Sequence, residues 1–358
     1  MKSVSVVICT FNSEKYLSKI DINLSNQRIN FNDLMIERIV VDGGSEDNTI
    51  EMAKKKGFRV IQNLAGNAID GKFLGLINSN SQFIAFLDHD ELMIRNDSFY
   101  RKIQAFENSP SLIAVLSSGY LIDDRSTTAN SYASEFGDPW SKFFYNTSNT
   151  PRYRTKKFSR ELNIHKESDL LTEYYIDSNI NKILSEWVTS GTIIDREKLI
   201  RFLPDTLVDK NVLPNAVYYF SEFKSHKFTF AVLHNDPIEH DSSEKWKKVF
   251  LKIRWRVANA CEVDNEIESG FILRENISGF KFRNSLKKLI FLVSILTIIP
   301  IFISAITLAI SRRRLGYLMH FILTYYVVSL IIYFKILKIM KYKGSYDRRY
   351  DGSVKEKL

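Results

Sequence analysis

Phe83-Ile84-Ala85-Phe86-Leu87-Asp88-His89-Asp90-Glu91 is a short apolar run that ends abruptly in carboxylates. Residues 83–87 have the length and the aromatic and β-branched content of a buried strand. Nothing in the packing of a strand asks for Asp88 and Asp90 directly after it. In a parallel sheet, the crevice beyond the carboxyl ends of the strands is where ligands bind. Two carboxylates two residues apart at such an edge can share a hard divalent cation, Mg2+ or Mn2+, which bridges protein to substrate phosphates. A solvated acidic turn is the other reading of the same residues, and the flanking chain has to decide between them.

Outward from this run, strand-like and helix-like stretches alternate. Residues 4–9 read as a strand and 14–24 as a helix. Residues 37–41 read as a strand ending at Asp42-Gly43-Gly44-Ser45, with Ser45 placed to cap a following helix. A third strand is expected over 59–62 and a helix over 72–78. Beyond the central run come a helix over 97–108 and a strand over 112–116. This alternation predicts an α/β fold, a mostly parallel sheet with helices on both faces. Thr10-Phe11-Asn12, Asp42-Gly43-Gly44 and Asp88-His89-Asp90 each follow a strand, so a parallel sheet brings all three clusters to one edge. Met1-Lys2-Ser3 runs straight into the first strand, without the cleavage site of a signal peptide. Gly66-Asn67-Ala68-Ile69-Asp70-Gly71-Lys72-Phe73 has the spacing of a phosphate-binding GxxxxGK loop, but Phe73 stands where a magnesium-binding Ser or Thr belongs. Lys72 is either a partner for a phosphate or a solvated lysine opening a helix.

Residues 121–185 read as irregular and polar. Within 139–160, Trp140, Phe143, Phe144, Tyr145, Tyr153 and Phe158 alternate with Lys142, Arg152, Arg154, Lys156, Lys157 and Arg160. The stretch is either an interfacial patch with cations on lipid phosphate or a loop packed over the sheet. A strand is expected over 187–194, helices over 196–202 and 212–225, and a strand over 228–233. Asp209, before the second of those helices, is the candidate general base, with a plain helix cap as its alternative. His234 and His240 follow the last strand, where either can be a third metal ligand, orient a phosphate, or be a solvated loop histidine.

The net charge of +9 is unevenly placed. Residues 281–358 hold 15 Lys and Arg against 3 Asp and Glu, and the rest of the chain is slightly acidic. A nucleic-acid partner is therefore not expected; a membrane surface is. Residues 289–310 carry no charge and as a helix span about 33 Å, enough for a bilayer core. After Ser311-Arg312-Arg313-Arg314 a second apolar run covers 315–334. The favoured expectation is a spanning two-helix hairpin. The alternative is a re-entrant segment broken at Pro300, which keeps Arg312–Arg314 on the cytoplasmic side.

The stretches 4–12, 39–49 and 84–91, in this order and spacing, resemble the family 2 glycosyltransferases, which have a GT-A fold. The resemblance is strong over 1–120, weaker over 121–240, and does not extend to the apolar segments. It implies a donor site for a nucleotide-activated sugar, with Thr10, Phe11 and Asp42 at the base and ribose; Asn12, Gly43 and, toward the phosphates, Lys72 are further donor-site candidates from their own positions. It implies that Asp88 and Asp90 form the DxD motif, whose metal bridges the donor diphosphate. Asp209 is similar to the base of inverting members, although the usual acidic pair is reduced to one Asp followed by Lys210. His240 is similar to a histidine found after the last strand in such enzymes. Processive members carry QxxRW; here Arg254-Trp255 is present but Leu251 stands at the Gln position, which points to single-sugar transfer.

The expected organisation is a GT-A catalytic domain over 1–240, a charged helical connector over 241–284, two membrane-embedded helices over 285–340, and a basic tail over 341–358. The expected function is a metal-dependent inverting glycosyltransferase at the cytoplasmic face of the inner membrane. Its acceptor would be a lipid-linked saccharide in cell-surface glycan synthesis. The alternatives are a polyprenyl-phosphate glycosyltransferase and a non-catalytic membrane scaffold of the same fold. A nucleotidyltransferase is disfavoured by the lack of its N-terminal Gly-rich signature.

Overall fold

The computed structural model describes residues 2–27, 34–64, 66, 68–176, 190–201, 228–241, 245–262 and 281–340. Asp209 and the expected helix over 212–225 lie outside the described residues. The chain divides into two compact units, Met1–Leu121 with Thr150–His240, and Ile122–Asn149 with Asp241–Asp347.

The first unit is built on β1 (Lys2–Thr10), whose interior residues Val4, Val6, Val7 and Ile8 are fully buried. A strand apolar on both faces needs neighbours on both sides and cover above and below. It pairs in parallel with β2 (Leu34–Asp42) on one side and β4 (Phe83–Asp88) on the other. Outside β2 lies β3 (Arg59–Gln62), also parallel. Beyond β4, β10 (Thr192–Asp195) runs antiparallel between β4 and β6 (Leu112–Leu116). β11 (Phe228–Leu233) is parallel to β6, and β9 (Leu171–Ile176) and β8 (Asn163–Glu167) complete that side as antiparallel strands. The order across this nine-stranded sheet is β3-β2-β1-β4-β10-β6-β11-β9-β8. Strand order reverses between β1 and β4, so the crevice for ligands opens at their carboxyl ends.

Successive residues of β1 serve opposite faces. Val4, Val6 and Ile8 join a core with Leu17, Ile20 and Leu24 of α1 (Glu14–Asn26) and Phe99 and Ile103 of α4 (Ser98–Asn108). Val7 joins the opposite core with Phe73 and Leu76 of α3 (Ala68–Ile77), Phe158 of α7 (Pro151–Glu161) and Leu199 of α8 (Arg196–Arg201). Helix α2 (Thr49–Lys55) starts four residues after Ser45, behind Asn48. Ser45 therefore does not cap it; its hydroxyl donates to Asp42 Oδ2 at 2.6 Å.

A smaller three-stranded sheet, ordered β5-β12-β7, stands beside the same edge. β12 (Pro237–His240) runs antiparallel to β5 (Glu91–Met93) and parallel to β7 (Gly119–Tyr120). The turn into β12 is held by a wholly buried ion pair. Lys102 Nζ lies 2.9 Å from Asp236 Oδ2, and both side chains are fully inaccessible. Ser98 and Ser117 each donate to the same Asp236 oxygen, at 3.0 and 3.1 Å. Burial lowers the Lys102 pKa and the Asp236 carboxylate opposes that shift.

Residues 121–185, read as irregular from the sequence, contain helices α5 (Thr128–Phe136), α6 (Pro139–Tyr145) and α7, then β8 and β9. Thr127 and Asp138 supply side-chain caps for α5 and α6, and Pro139 and Pro151 open α6 and α7. The aromatic and basic stretch over 139–160 is not one surface. Trp140, Phe143 and Phe144 of α6 surround Phe291 in the second unit, whereas Phe158 packs on Tyr174 and Phe230 of the large sheet.

The second unit also contains α9 (Trp246–Glu262), α10 (Lys281–Thr297), α11 (Ile299–Arg312), a 3-10 turn at Leu315–Leu318 and α12 (Met319–Ile339). The uncharged run over 289–310 is not one straight helix. It breaks at Ile298, φ 64°, and α10 and α11 meet at 92°. Pro300 has no N–H for a continuing helix but suits the first turn of a new one. Leu315–Leu337, 23 residues, is long and apolar enough to cross a membrane.

The Lys102–Asp236 pair generates a stability prediction. Lys102→Met leaves a buried carboxylate uncompensated and should lower unfolding stability by about 3–5 kcal/mol, read as a fall in the urea midpoint at unchanged slope.

Candidate donor site at the sheet edge

Parallel register sets the level of the three polar clusters. Thr10 stands opposite Asp42, and Cys9 opposite Asp88, so the ends of β1, β2 and β4 coincide. Asp42 is 1% exposed, and its carboxylate faces inward. Its Oδ1 accepts from Ser45 N at 2.9 Å and Gly44 N at 3.3 Å, and its Oδ2 accepts from Thr10 Oγ1 at 3.5 Å. Asn12, at φ 47°, presents Oδ1 to Glu46 N at 2.9 Å, and its own N–H donates to Ser45 Oγ at 2.8 Å. Gly43 N donates to Thr10 O at 2.9 Å. A Cβ at Gly43 would sit 3.3 Å from Gly66 O, tighter than an ordinary contact, so the two loops come close together at this glycine. Phe11 is half-buried between the clusters. Thr10, Asn12, Asp42 and Gly43 thus build one rigid turn that shapes the edge.

Asp88 is the accessible carboxylate, its side chain 37% exposed, and Lys72 stands behind it at 7%. Lys72 Nζ lies 2.7 Å from Asp88 Oδ1. Burial alone would lower the lysine pKa; the Asp88 carboxylate outweighs it and holds the ammonium above its ordinary value. Lys72 is therefore neither solvated nor part of a phosphate-binding loop: it is a buried cation aimed at the edge from α3.

Asp90 is largely buried, and His240 Nε2 lies 3.6 Å from its Oδ2. The pairing of β12 with β5 sets His240 opposite Glu91. The His240 ring stacks on Tyr120 at 4.4 Å. His234 is elsewhere, its Nε2 2.8 Å from Thr172 Oγ1.

Glu91 is the organising group that the sequence reading left without a role. It is 1% exposed. Its Oε2 accepts from Asp88 N at 3.0 Å and Ser190 N at 2.8 Å, and its Oε1 accepts from Tyr120 O–H at 2.5 Å. One carboxyl thereby joins the end of β4, the approach to β10 and the platform under His240. Burial and the nearby Asp88 carboxylate push its pKa up to about 8, against the Tyr120 and Asp88 hydrogen bonds and Lys72. The signal for Glu91 was its position directly after the acidic pair, but only the distant partners reveal its use.

Asp88, Asp90 and His240 offer two carboxylates and an imidazole. Among the described residues, no group of three or more His, Cys, Asp or Glu is placed so that it could hold a metal ion. The donor types nonetheless fit Mg2+ or Mn2+, which take one or two carboxylates and complete their shell with substrate phosphates and water.

Residues 5–168 match the model described as Glycosyl transferase family 2. The poly(ribitol-phosphate) beta-N-acetylglucosaminyltransferase TarP of Staphylococcus aureus (strain N315) is 35% identical over 99 residues, covering 26% of this chain and 30% of TarP. Mannosyltransferase PcManGT from Pyrobaculum calidifontis, solved with GDP-Man and Mn2+, superposes over 95% of this chain and 88% of that one, at TM-score 0.51 and 11% identity. S. aureus TarS 1-349 with UDP-GlcNAc covers 79% of this chain and 73% of its own, at TM-score 0.42 and 17% identity. The likeness to PcManGT concerns the fold, and the fold is the α/β GT-A arrangement.

The Glu91 environment predicts a pH dependence. Unfolded, the carboxyl ionises near 4.5; folded, it retains its proton to about 8. The folded state then binds the extra proton in between, so stability is highest below pH 4.5 and falls as pH rises toward 8. In EDTA-treated protein, Glu91→Gln should remove this part of the slope. Thermal midpoints of both proteins from pH 5 to 8.5 check it, and parallel curves would discard the assignment.

Proposed function

We propose that the chain is an inverting glycosyltransferase that moves a single sugar from a nucleotide-sugar donor to a lipid-linked acceptor at a membrane surface. The observations that support this reading are two ion pairs just after β4, Lys72 with Asp88 and His240 with Asp90, beside the strand-order reversal between β1 and β4. Support for a nucleotide-sugar donor comes from PcManGT, solved in complex with GDP-Man and Mn2+. TarP, matched over 30% of its length, is named a beta-N-acetylglucosaminyltransferase, which supports glycosyl transfer.

The chemistry follows from charge. As the bond from the anomeric carbon to the diphosphate breaks, negative charge grows on the leaving oxygens. Fixed cations already facing that position stabilise it without reorganisation. Lys72 is such a cation, held by Asp88 and unable to follow solvent. A divalent cation held by Asp88 and Asp90, with His240 as a further ligand, would act as a Lewis acid on the diphosphate oxygens. Phe11, backed by the turn that Thr10, Asn12, Asp42 and Gly43 build, forms the wall against which base and ribose lie. Asp209 takes the proton from the acceptor hydroxyl as it attacks from the opposite side. A single in-line displacement inverts the anomeric centre.

Two variants test the reading. With purified full-length protein and a panel of nucleotide sugars, Mn2+ or Mg2+ should support slow release of nucleoside diphosphate from one donor. EDTA or Asp90→Ala should abolish that release. Failure of the protein to bind any nucleoside diphosphate with metal would instead favour the non-catalytic scaffold. Asp209→Asn should leave donor binding near normal and lower turnover by ~10²–10⁴; unchanged turnover removes Asp209 from the role.

A further inference from the structure

The corner between α11 and α12 carries Arg312-Arg313-Arg314, and two of these arginines point into protein. Arg312 grips Glu135 of α5 with Nη2 at 2.6 Å and Nε at 3.0 Å, and the Glu135 side chain is fully inaccessible. Tyr317 O–H and Ser148 Oγ donate to the same carboxylate at 2.9 and 3.0 Å. Arg314 Nη1 donates to Ser126 O and Ser131 Oγ, both at 2.7 Å. A side chain at Gly316 would meet Thr128 Cγ2 at 2.6 Å, so the corner lies directly on α5. A buried bidentate ion pair with two further donors is a fixed joint.

This joint constrains how the chain can meet a bilayer. Helix α5 belongs to the segment 122–149, whose two ends run on into the sheet unit at Leu121 and Thr150. Because both ends join the sheet unit, carrying Glu135 across would take two crossings of about 20 helical residues each, and 122–149 holds only 28 residues. Those residues include Asp123, Asp124 and Arg125. The segment therefore cannot carry Glu135 across a bilayer, and Arg312 must stay on the side where Glu135 is. A straight α10–α11 span would put Arg312 on the other side; the observed 92° elbow does not.

Helix α12 is constrained by its partner. Leu323, Val327, Leu330 and Phe334 share a core with Val249, Ile253 and Val257 of α9. α9 carries Lys247, Lys248, Lys252, Arg254 and Arg256. If α12 crossed the bilayer, α9 would take five cations into hydrocarbon, where each is unfavourable. What α10 and α11 do expose is a broad apolar surface, with Leu292, Leu296, Ile299, Phe302 and Ile303 all more than half accessible. Lys288 and Arg313, at its two ends, are exposed cations. An apolar face edged by cations matches one leaflet of an anionic bilayer.

We propose that α10–α12 form a monotopic anchor that enters a single leaflet of anionic lipid and crosses none, with the arginine corner and the end of α12 on the side that carries the sheet unit. This rests on the reading that the second unit meets a membrane. The test uses full-length protein with Cys9 and Cys261 replaced by alanine and single cysteines introduced as Lys55→Cys, Arg313→Cys or Met340→Cys. Sealed inverted membrane vesicles and intact cells are treated with a membrane-impermeant maleimide. The expected result is that all three positions label from the same side. Labelling of Arg313→Cys or Met340→Cys from the side opposite Lys55→Cys would overturn the proposal. Should the cysteine variants fail to fold, wild-type protein treated with an impermeant amine reagent gives the same comparison between Lys55 and Lys335, read by mass spectrometry. Flotation of the wild-type protein separates the underlying reading: it should float with phosphatidylglycerol vesicles and far less with phosphatidylcholine alone. Protein that floats with neither overturns the membrane reading and the proposal together; protein that floats but labels from both sides overturns the proposal alone.

Discussion

The parallel register of β2, β1 and β4 is the constraint on which the donor site depends. Because Thr10 is level with Asp42 and Cys9 with Asp88, three loops from separate parts of the chain leave the sheet at one height. A shift of one residue would exchange the two faces of β1, turning Val6 and Ile8 toward the core now filled by Val7. Both faces of β1 are covered by helices, but with differently shaped cores, so packing itself holds the polar edge in place. The small sheet depends on this arrangement in turn, since β5 begins three residues after β4 ends.

Buried charge around that edge serves two different purposes. Lys102 and Asp236 hold the turn that delivers β12, and neither side chain touches solvent. Lys72 is nearly as sheltered but pairs with the accessible Asp88 at the sheet edge. Glu91 combines the roles, joining Asp88, Ser190 and Tyr120 through one carboxyl. Positioning is therefore achieved by ionisable groups in low dielectric, where misplacement leaves a charge or a donor unsatisfied. Such groups tolerate few alternative geometries.

The second unit applies the same device to a different problem. Its core is apolar, but the corner that follows α11 is fastened by Glu135, Arg312 and Tyr317. The two apolar runs then differ in character. One is bent at Ile298 and leaves much of its surface exposed; the other is laid against a basic amphipathic helix. Length and hydropathy alone treat them as equivalent.

Local patterns were legible in the sequence. The runs at 4–9, 59–62, 83–87 and 112–116, the carboxylates after the central strand, and the two apolar stretches are all one-dimensional signals. Strand and helix periodicity and abrupt changes of polarity need no distant partner to be seen. Only the tertiary structure decided what those residues meet. His240 reaches Asp90 because β12 pairs with β5 across some 150 residues of chain, and no spacing encodes that pairing. Ser45 reads as a helix cap until Asp42 takes its hydroxyl. The aromatic and basic stretch at 139–160 reads as one patch until its rings divide between two cores. Glu135 is an ordinary acidic residue in an unremarked segment until Arg312 arrives from 177 positions away. The physical reason is common to all four: a side chain's function here depends on burial and on a partner's geometry, and both are properties of the packed chain.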